Sequence, residues 1–153
     1  MIKIKKSKTA DTRSCDFSKV SKETLKESSV QHINDVGKAL GFFASKLTDS
    51  ASVHDFDKLT EIDWFHADFL TGFEETGWWD NHRKVNRHHL LQEDGIPEDV
   101  NLIDVLEFIS DCTMAGMART GDVFPLEISS ELLQKAFSNT AKLLKDSIQV
   151  EDE

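Results

Sequence analysis

The chain has 153 residues and 17.3 kDa, with 39% hydrophobic and 30% charged residues, the composition of one soluble globular domain that is neither disordered nor membrane-spanning. Eighteen Lys and Arg against 28 Asp and Glu give a net charge of -10, which removes the attraction for a phosphate backbone and excludes general nucleic-acid binding. Small anionic substrates stay open, because a bound metal ion reverses the sign locally.

Cys15 and Cys112 are far apart and form no CxxC pair, which rules out a disulfide scaffold and a zinc ribbon. The basic start, Met1 to Lys6, has no apolar core behind it and is not a signal peptide. No stretch approaches the ~18 apolar residues of a membrane helix. A cytoplasmic protein with reduced thiols is expected, in the host cytoplasm should the chain be of phage origin.

Met1 to Lys5 alternates apolar residues with Lys, a short strand pattern, and residues 7–13 read as a loop. Residues 1–20 are therefore an extended arm ahead of a single helical domain at 21–150. Ser21 is a candidate N-cap for a first helix with apolar positions Leu25, Ile33, Val36, Leu40, Phe43, Ala44 and Leu47, and Thr48 to Ser52 reads as a connector. A second helical pattern starts near Thr60, with Ile62, Phe65, Phe69, Leu70 and Phe73 on one face, and ends at Gly77. A third runs from Trp78 to about Gln92, before the turn Asp94-Gly95-Ile96-Pro97. Asn101 caps a fourth, carrying Leu102, Val105, Leu106, Ile109, Cys112 and Met117. Ser129 or Ser130 caps a last helix, with a tail at Glu151 to Glu153 that frays. The pattern predicts an all-α bundle of five or more helices with a short extended N-terminal segment.

Chemistry concentrates in the histidines and one acidic stripe. His32 falls with the apolar positions of the first helix and faces inward. His54-Asp55 follows the connector. His82, Asn86 and His89, at i, i+4 and i+7, share a face of the third helix, beside His88. Asp104, Glu107 and Asp111 recur at i, i+3 and i+7 on the fourth. Each has a plain structural reading on its own: His32 a hydrogen-bonded core residue, the acidic stripe a solvated face, Trp78-Trp79 core packing. Together they form a donor set for Mn, Fe, Co, Ni, Zn or Mg, presented by several helices to one cavity.

That order resembles the HD superfamily of metal-dependent phosphohydrolases, all-α domains named for a metal-binding His-Asp pair. A His on one helix, the pair on a later one and a further Asp map onto His32, His54-Asp55, and Asp111 or Asp104. His54-Asp55-Phe56-Asp57-Lys58 is similar to the HDxxK sequence of many members. His82 with Asn86-Arg87-His88-His89 looks like the extra histidines of the two-metal subgroup. Ile103 to Asp111 resembles the acidic last helix of small HD-like proteins, many from phages. The likeness spans about residues 25 to 120. The GYP signature of the cyclic-dinucleotide branch is absent, so that substrate is not implied. The spacing of His32 and His54 also sets a geometric condition. A helix reaching Leu47 ends about 22 Å beyond His32, and the seven residues to His54 return about 23 Å at most, so an early end or a bend, at Gly41, is expected.

The resemblance implies a phosphohydrolase acting on a nucleotide or related phosphoester through one or two divalent ions held by His32, His54, Asp55, His82, His88, His89 and Asp111. Glu107 or Asp104 would take the water proton. Lys58, Arg83 or Arg87, and at longer range Arg13, would hold phosphate. Asp104 is close enough to Asn101 to serve at the helix N-terminus instead, which ranks Asp111 above it as a ligand. The expected partner is a small phosphorylated molecule, with neither a membrane nor bulk nucleic acid, and a homo-oligomer is compatible with it. An HD-type di-iron oxygenase and a non-enzymatic helical binding module are the alternatives.

Overall fold

The computed structural model describes residues 1–7 and 17–152. Arg13 and Cys15 lie outside the described residues. The described chain is mostly helical: β1 (Ile2–Lys5), α1 (Lys22–Val53), α2 (Asp57–Thr60), α3 (Ile62–Leu70), α4 (Trp78–Val85), α5 (Leu102–Thr120), α6 (Ser130–Asp146) and β2 (Ile148–Glu151). Among these residues no helix is long and apolar enough to cross a membrane. The chain divides into two compact units, Met1–Lys46 with Lys142–Glu153, and Leu47–Ala141.

In the first unit β1 pairs in parallel with β2, in the register Ile2 with Ile148 and Ile4 with Val150. The predicted strand at Ile2–Lys5 is therefore present. Its partner, β2, reaches Glu151, the first residue of the tail expected to fray, and Glu151 closes an ion pair with Lys3 at 2.9 Å. Alternation of apolar and Lys suits a strand with one buried side, and Ile2 is that buried residue. Ser21 caps α1 by accepting from the Thr24 backbone N–H at 3.1 Å. Gln31 and Lys38, seven apart and so on one face of α1, donate to the Lys5 and Lys3 carbonyls of β1, each at 2.9 Å.

Two expectations for α1 are corrected. It runs unbroken to Val53, so neither the early end at Gly41 nor the connector at Thr48 to Ser52 exists. The stripe Leu25, Ile33, Val36 and Leu40 is exposed, because the face that meets β1 is the polar one carrying Gln31 and Lys38.

The second unit is built on a core of Leu90, Val100, Val105, Phe108 and Ala136, with Ile96, Leu126, Ile128 and Leu132 packed against it. Asn101 caps α5 by accepting from Ile103 N at 2.9 Å, while Asp104 Oδ2 accepts from Asn101 N at 2.8 Å, a capping box. Thr140 of α6 accepts from Leu102 N at 2.8 Å, which ties the start of α5 to α6. Ser129, rather than Ser130, caps α6. A second, aromatic cluster joins α3 to α4. Phe65 lies 4.2 Å from Trp78 and 6.3 Å from Phe73 between ring centroids, and Trp78 is fully buried. The buried Asp68 accepts from Thr76 N and Oγ1 and from Trp79 N, at 2.7–2.9 Å, and so fixes the loop that starts α4.

Candidate metal centre

The site lies within the second unit and begins where α1 stops. Asp55 follows at φ 53°, in the left-handed region that Asp tolerates better than most residues. This turn ends α1 and leads into α2 at Asp57, so His54, Asp55, Asp57 and Lys58 fall within five residues. At the start of α2 the N-cap position is Phe56 and no side chain caps it. The carboxylates of Asp55 and Asp57 are thus not spent on backbone N–H groups.

α4 supplies His82, buried and stacked on Trp78 at 4.6 Å. The helix ends at Val85, and Asn86 is extended, with φ -99° and ψ 116°. His88 and His89 therefore do not share a helix face with His82, as the i, i+7 spacing predicts, but return to it on a loop. The convergence is real by this other route: ring centroids lie 4.7 Å apart for His82 and His89, 4.3 Å for His88 and His89, and 4.5 Å for His54 and His88. Gly95 holds that loop in place. A Cβ there would sit 2.5 Å from the His89 carbonyl oxygen. Gly95→Ala should cost about 1–3 kcal/mol through forced displacement of this segment and lower metal content with it. Urea midpoints and elemental analysis on one preparation test this, and wild-type values for both would contradict it.

Asp55 is the common member of two groups whose donor atoms all lie within 4.8 Å of one another: His54, Asp55 and His88, and Asp55, His82 and His89. His82 Nε2 and His88 Nε2 stand 3.4 and 3.5 Å from Asp55 Oδ1, and His54 Nε2 stands 3.6 Å from Oδ2. These separations are long for hydrogen bonds. Two ligand atoms on bonds of about 2.1 Å at a tetrahedral angle are about 3.4 Å apart, which is the spacing found. Asp55 Oδ1 and the Nε2 atoms of His82, His88 and His89 are all buried without a hydrogen-bond partner. Buried polar atoms are nearly always satisfied, so four orphans turned on one space fit a set of cation ligands. The donor chemistry fits too, imidazole and carboxylate being ligands of Zn, Mn, Fe, Co and Ni.

Three of the rings are held from behind. His82 Nδ1 pairs with Asp57 Oδ2 at 2.8 Å, and Asn86 Nδ2 donates to Asp57 Oδ1 at 3.0 Å. His54 Nδ1 and His88 Nδ1 both pair with Glu107 Oε1 at 2.9 Å, and Ser50 donates to Glu107 Oε2. A carboxylate behind Nδ1 fixes the proton there and leaves the Nε2 lone pair facing inward, the arrangement that ligating histidines use.

The electrostatics follow from burial and these pairs. Burial works to raise the Glu107 pKa, but hydrogen bonds from His88, Ser50 and His54 hold it at about 2. Burial lowers His82, against the pull of Asp57. Burial and the neighbouring His88 and His82 push His89 down to about 3. Asp55 is also lowered: burial opposes ionisation, and the Lys58 ammonium, 2.5 Å from Oδ2, outweighs it.

These shifts predict acid sensitivity of the metal-free protein. His89 stays neutral in the fold while the unfolded chain binds a proton below its ordinary 6.5, so its share of stability is full above 6.5 and is lost as pH falls toward about 3. His82 acts in the same direction. Glu107 adds a loss between its ordinary 4.5 and about 2. The urea midpoint in chelator should fall steadily from pH 7 to pH 4, and a flat profile would contradict the assignment.

The remaining expected site residues divide clearly. Asp111 of α5 lies 3.7 Å from His54 Nε2, beside the cluster but outside its two three-donor groups. Lys58 is at the cluster through Asp55. Glu107 is there too, but both its oxygens are occupied, so it positions histidines and is not available as the base. Asp104 is buried in the capping box and holds Arg87 at 2.7 and 2.9 Å, outside the two three-donor groups. Arg83 is engaged by Asp80, Asp94 and Gln92. His32 is exposed on α1, in the first unit, away from the cluster's three-donor groups. Asp57, Asn86 and Ser50 carry out positioning that the sequence did not assign to them. The only signal for Asp57 was its place inside the HDxxK stretch.

Two cavities adjoin the cluster. One, of about 420 Å³, is lined by His54, Glu107 and Asp111 with apolar walls from α1 and α5. The other, of about 240 Å³, is lined by His88, His89, Asp111 and Cys112. No protein-family model, curated protein or solved structure matches the chain.

Proposed function

We propose that the protein is a metal-dependent phosphohydrolase, of HD-like organisation, acting on a nucleotide or related phosphoester. The observation that carries this reading is the convergence of three buried, unpartnered histidine Nε2 atoms, of His82, His88 and His89, on the equally unpartnered Asp55 Oδ1. His54, Asp55 and His88 would hold one divalent ion and Asp55, His82 and His89 a second. Bound there, such ions supply charge opposite the phosphoryl oxygens and lower the pKa of water for attack on phosphorus.

The chain's own residues do the rest. Among the described residues around the site, the carboxylates of Asp55, Asp57, Glu107 and Asp111 face one ammonium, Lys58, so divalent cations would make the site able to receive an anion. Asp57 and Glu107 keep the imidazole Nε2 atoms aimed inward. Asp111 lines both cavities and takes the proton that the attacking water loses, the role that Glu107 and Asp104 cannot fill. Lys58 presents its ammonium to a phosphoryl oxygen, as a point charge. As water's oxygen bonds to phosphorus, the ester P–O bond breaks and the departing alcohol oxygen gains a proton.

The test is elemental analysis of purified protein, followed by a phosphate-release screen over phosphoesters with Mn, Fe, Co, Ni, Zn and Mg. Bound metal and metal-dependent phosphate release are expected. Iron-dependent dioxygen consumption without phosphate release would replace this reading with an oxygenase. A metal-free protein of full thermal stability and no activity would replace it with a binding module.

A further inference from the structure

We infer, resting on the phosphohydrolase reading, that the groove beside His54 and Asp111 selects monoesters of uncharged, apolar or aromatic alcohols and rejects chains of phosphates. The groove is the cavity of about 420 Å³, within the range of about 300–1,000 Å³ usual for small-molecule sites. At one end it reaches His54 and Asp111; its sides are Leu47, Ala51, Leu106 and Met114. Leu106 and Met114 are 45% and 69% exposed, so an apolar group lying on them removes apolar surface from water. No Lys or Arg is among the described residues lining it.

Polyphosphates need cations along their length, and among the described residues the nearby guanidinium groups are held by carboxylates. Arg87 is bound by Asp104 and Asp99 and Arg83 by Asp80 and Asp94, which leaves Lys58, paired with Asp55, for the one phosphoryl group. Against Lys58, the carboxylates of Asp55, Asp57, Glu107 and Asp111 leave a surplus of negative charge that two divalent cations turn slightly positive. That suits one phosphoryl group. A second or third phosphate in the groove would face Asp111 and Glu107 between apolar walls, with no cation among the described lining residues to offset its desolvation.

The experiment uses the full chain loaded with manganese and three probes: 1-naphthyl phosphate, ATP, and phenylphosphonate, which has no ester bond to cleave. Naphthyl phosphate should be hydrolysed with a kcat/KM at least about tenfold above that of ATP. Calorimetry should show phenylphosphonate binding to the wild type. Ala51→Trp, which fills the groove from the surface of α1, should weaken that binding about tenfold at unchanged metal content. Leu106→Arg, at an exposed position, should shift the preference toward ATP. Hydrolysis of ATP as fast as the naphthyl ester, or both variants behaving as wild type, overturns the groove assignment and leaves the phosphohydrolase reading standing. No hydrolysis of any ester, with phenylphosphonate bound by the wild type and not by Ala51→Trp, overturns hydrolysis and supports the groove. Phenylphosphonate that fails to bind overturns the groove assignment.

Discussion

Asp55→Asn should release both metal ions at once and lower phosphohydrolase activity at least about 100-fold, beyond the 10–100-fold typical for losing a residue behind a ligand. Asp55 belongs to both three-donor groups, so no other single substitution removes a donor from each. Asn accepts φ 53° and has nearly the volume of Asp, so the turn after α1 survives and the loss reads out charge and ligation rather than misfolding. His89→Ala is the comparison: it leaves His54, Asp55 and His88 intact and should lower the stoichiometry from two ions toward one. Elemental analysis and melting temperature on the same samples separate the cases. Wild-type metal content in Asp55→Asn, with only stability lowered, would reduce His54-Asp55 to a structural turn.

Glu107→Gln is expected to weaken metal binding about 10–100-fold without touching a ligand. Glu107 Oε1 serves His54 and His88 together, and a neutral amide oxygen in its place accepts both imidazole N–H groups more weakly than an ionised carboxylate does. The loss of an ionised acceptor should also cost about 1.5–3 kcal/mol of stability. The distinguishing readout is the tautomer. Nitrogen NMR of the metal-free protein should place the proton on Nδ1 of both rings in the wild type, and a mixture of Nδ1 and Nε2 protonation in the variant. Unchanged tautomers would show that the rings are oriented by packing alone.

Helices were legible where local signals suffice. Asn101, Ser129 and Ser21 cap where side-chain chemistry placed them, since a cap needs only the residue and the N–H groups two or three positions on. The apolar-Lys alternation of Ile2–Lys5 likewise became a strand. The partner strand was not legible, because parallel pairing joins segments 146 positions apart, Ile2 with Ile148, and nothing local encodes that distance.

For the site, residue types and their order along the chain picked out His54, Asp55, His82, His88 and His89, and tertiary structure decided what each one does. His32 met the spacing test for an inward residue, yet spacing fixes only which residues share a face, and contacts from elsewhere decide which face is covered. His82 and His89 were joined by a helical period that ends at Val85; a loop held by Gly95 unites them instead. Glu107 and Asp104 look alike in the sequence, three residues apart on one acidic stripe. The fold separates them, giving Glu107 two imidazoles and a serine, and Asp104 a helix N-terminus and Arg87. A carboxylate's role depends on which donors reach its oxygens, and those donors come from other elements of the chain.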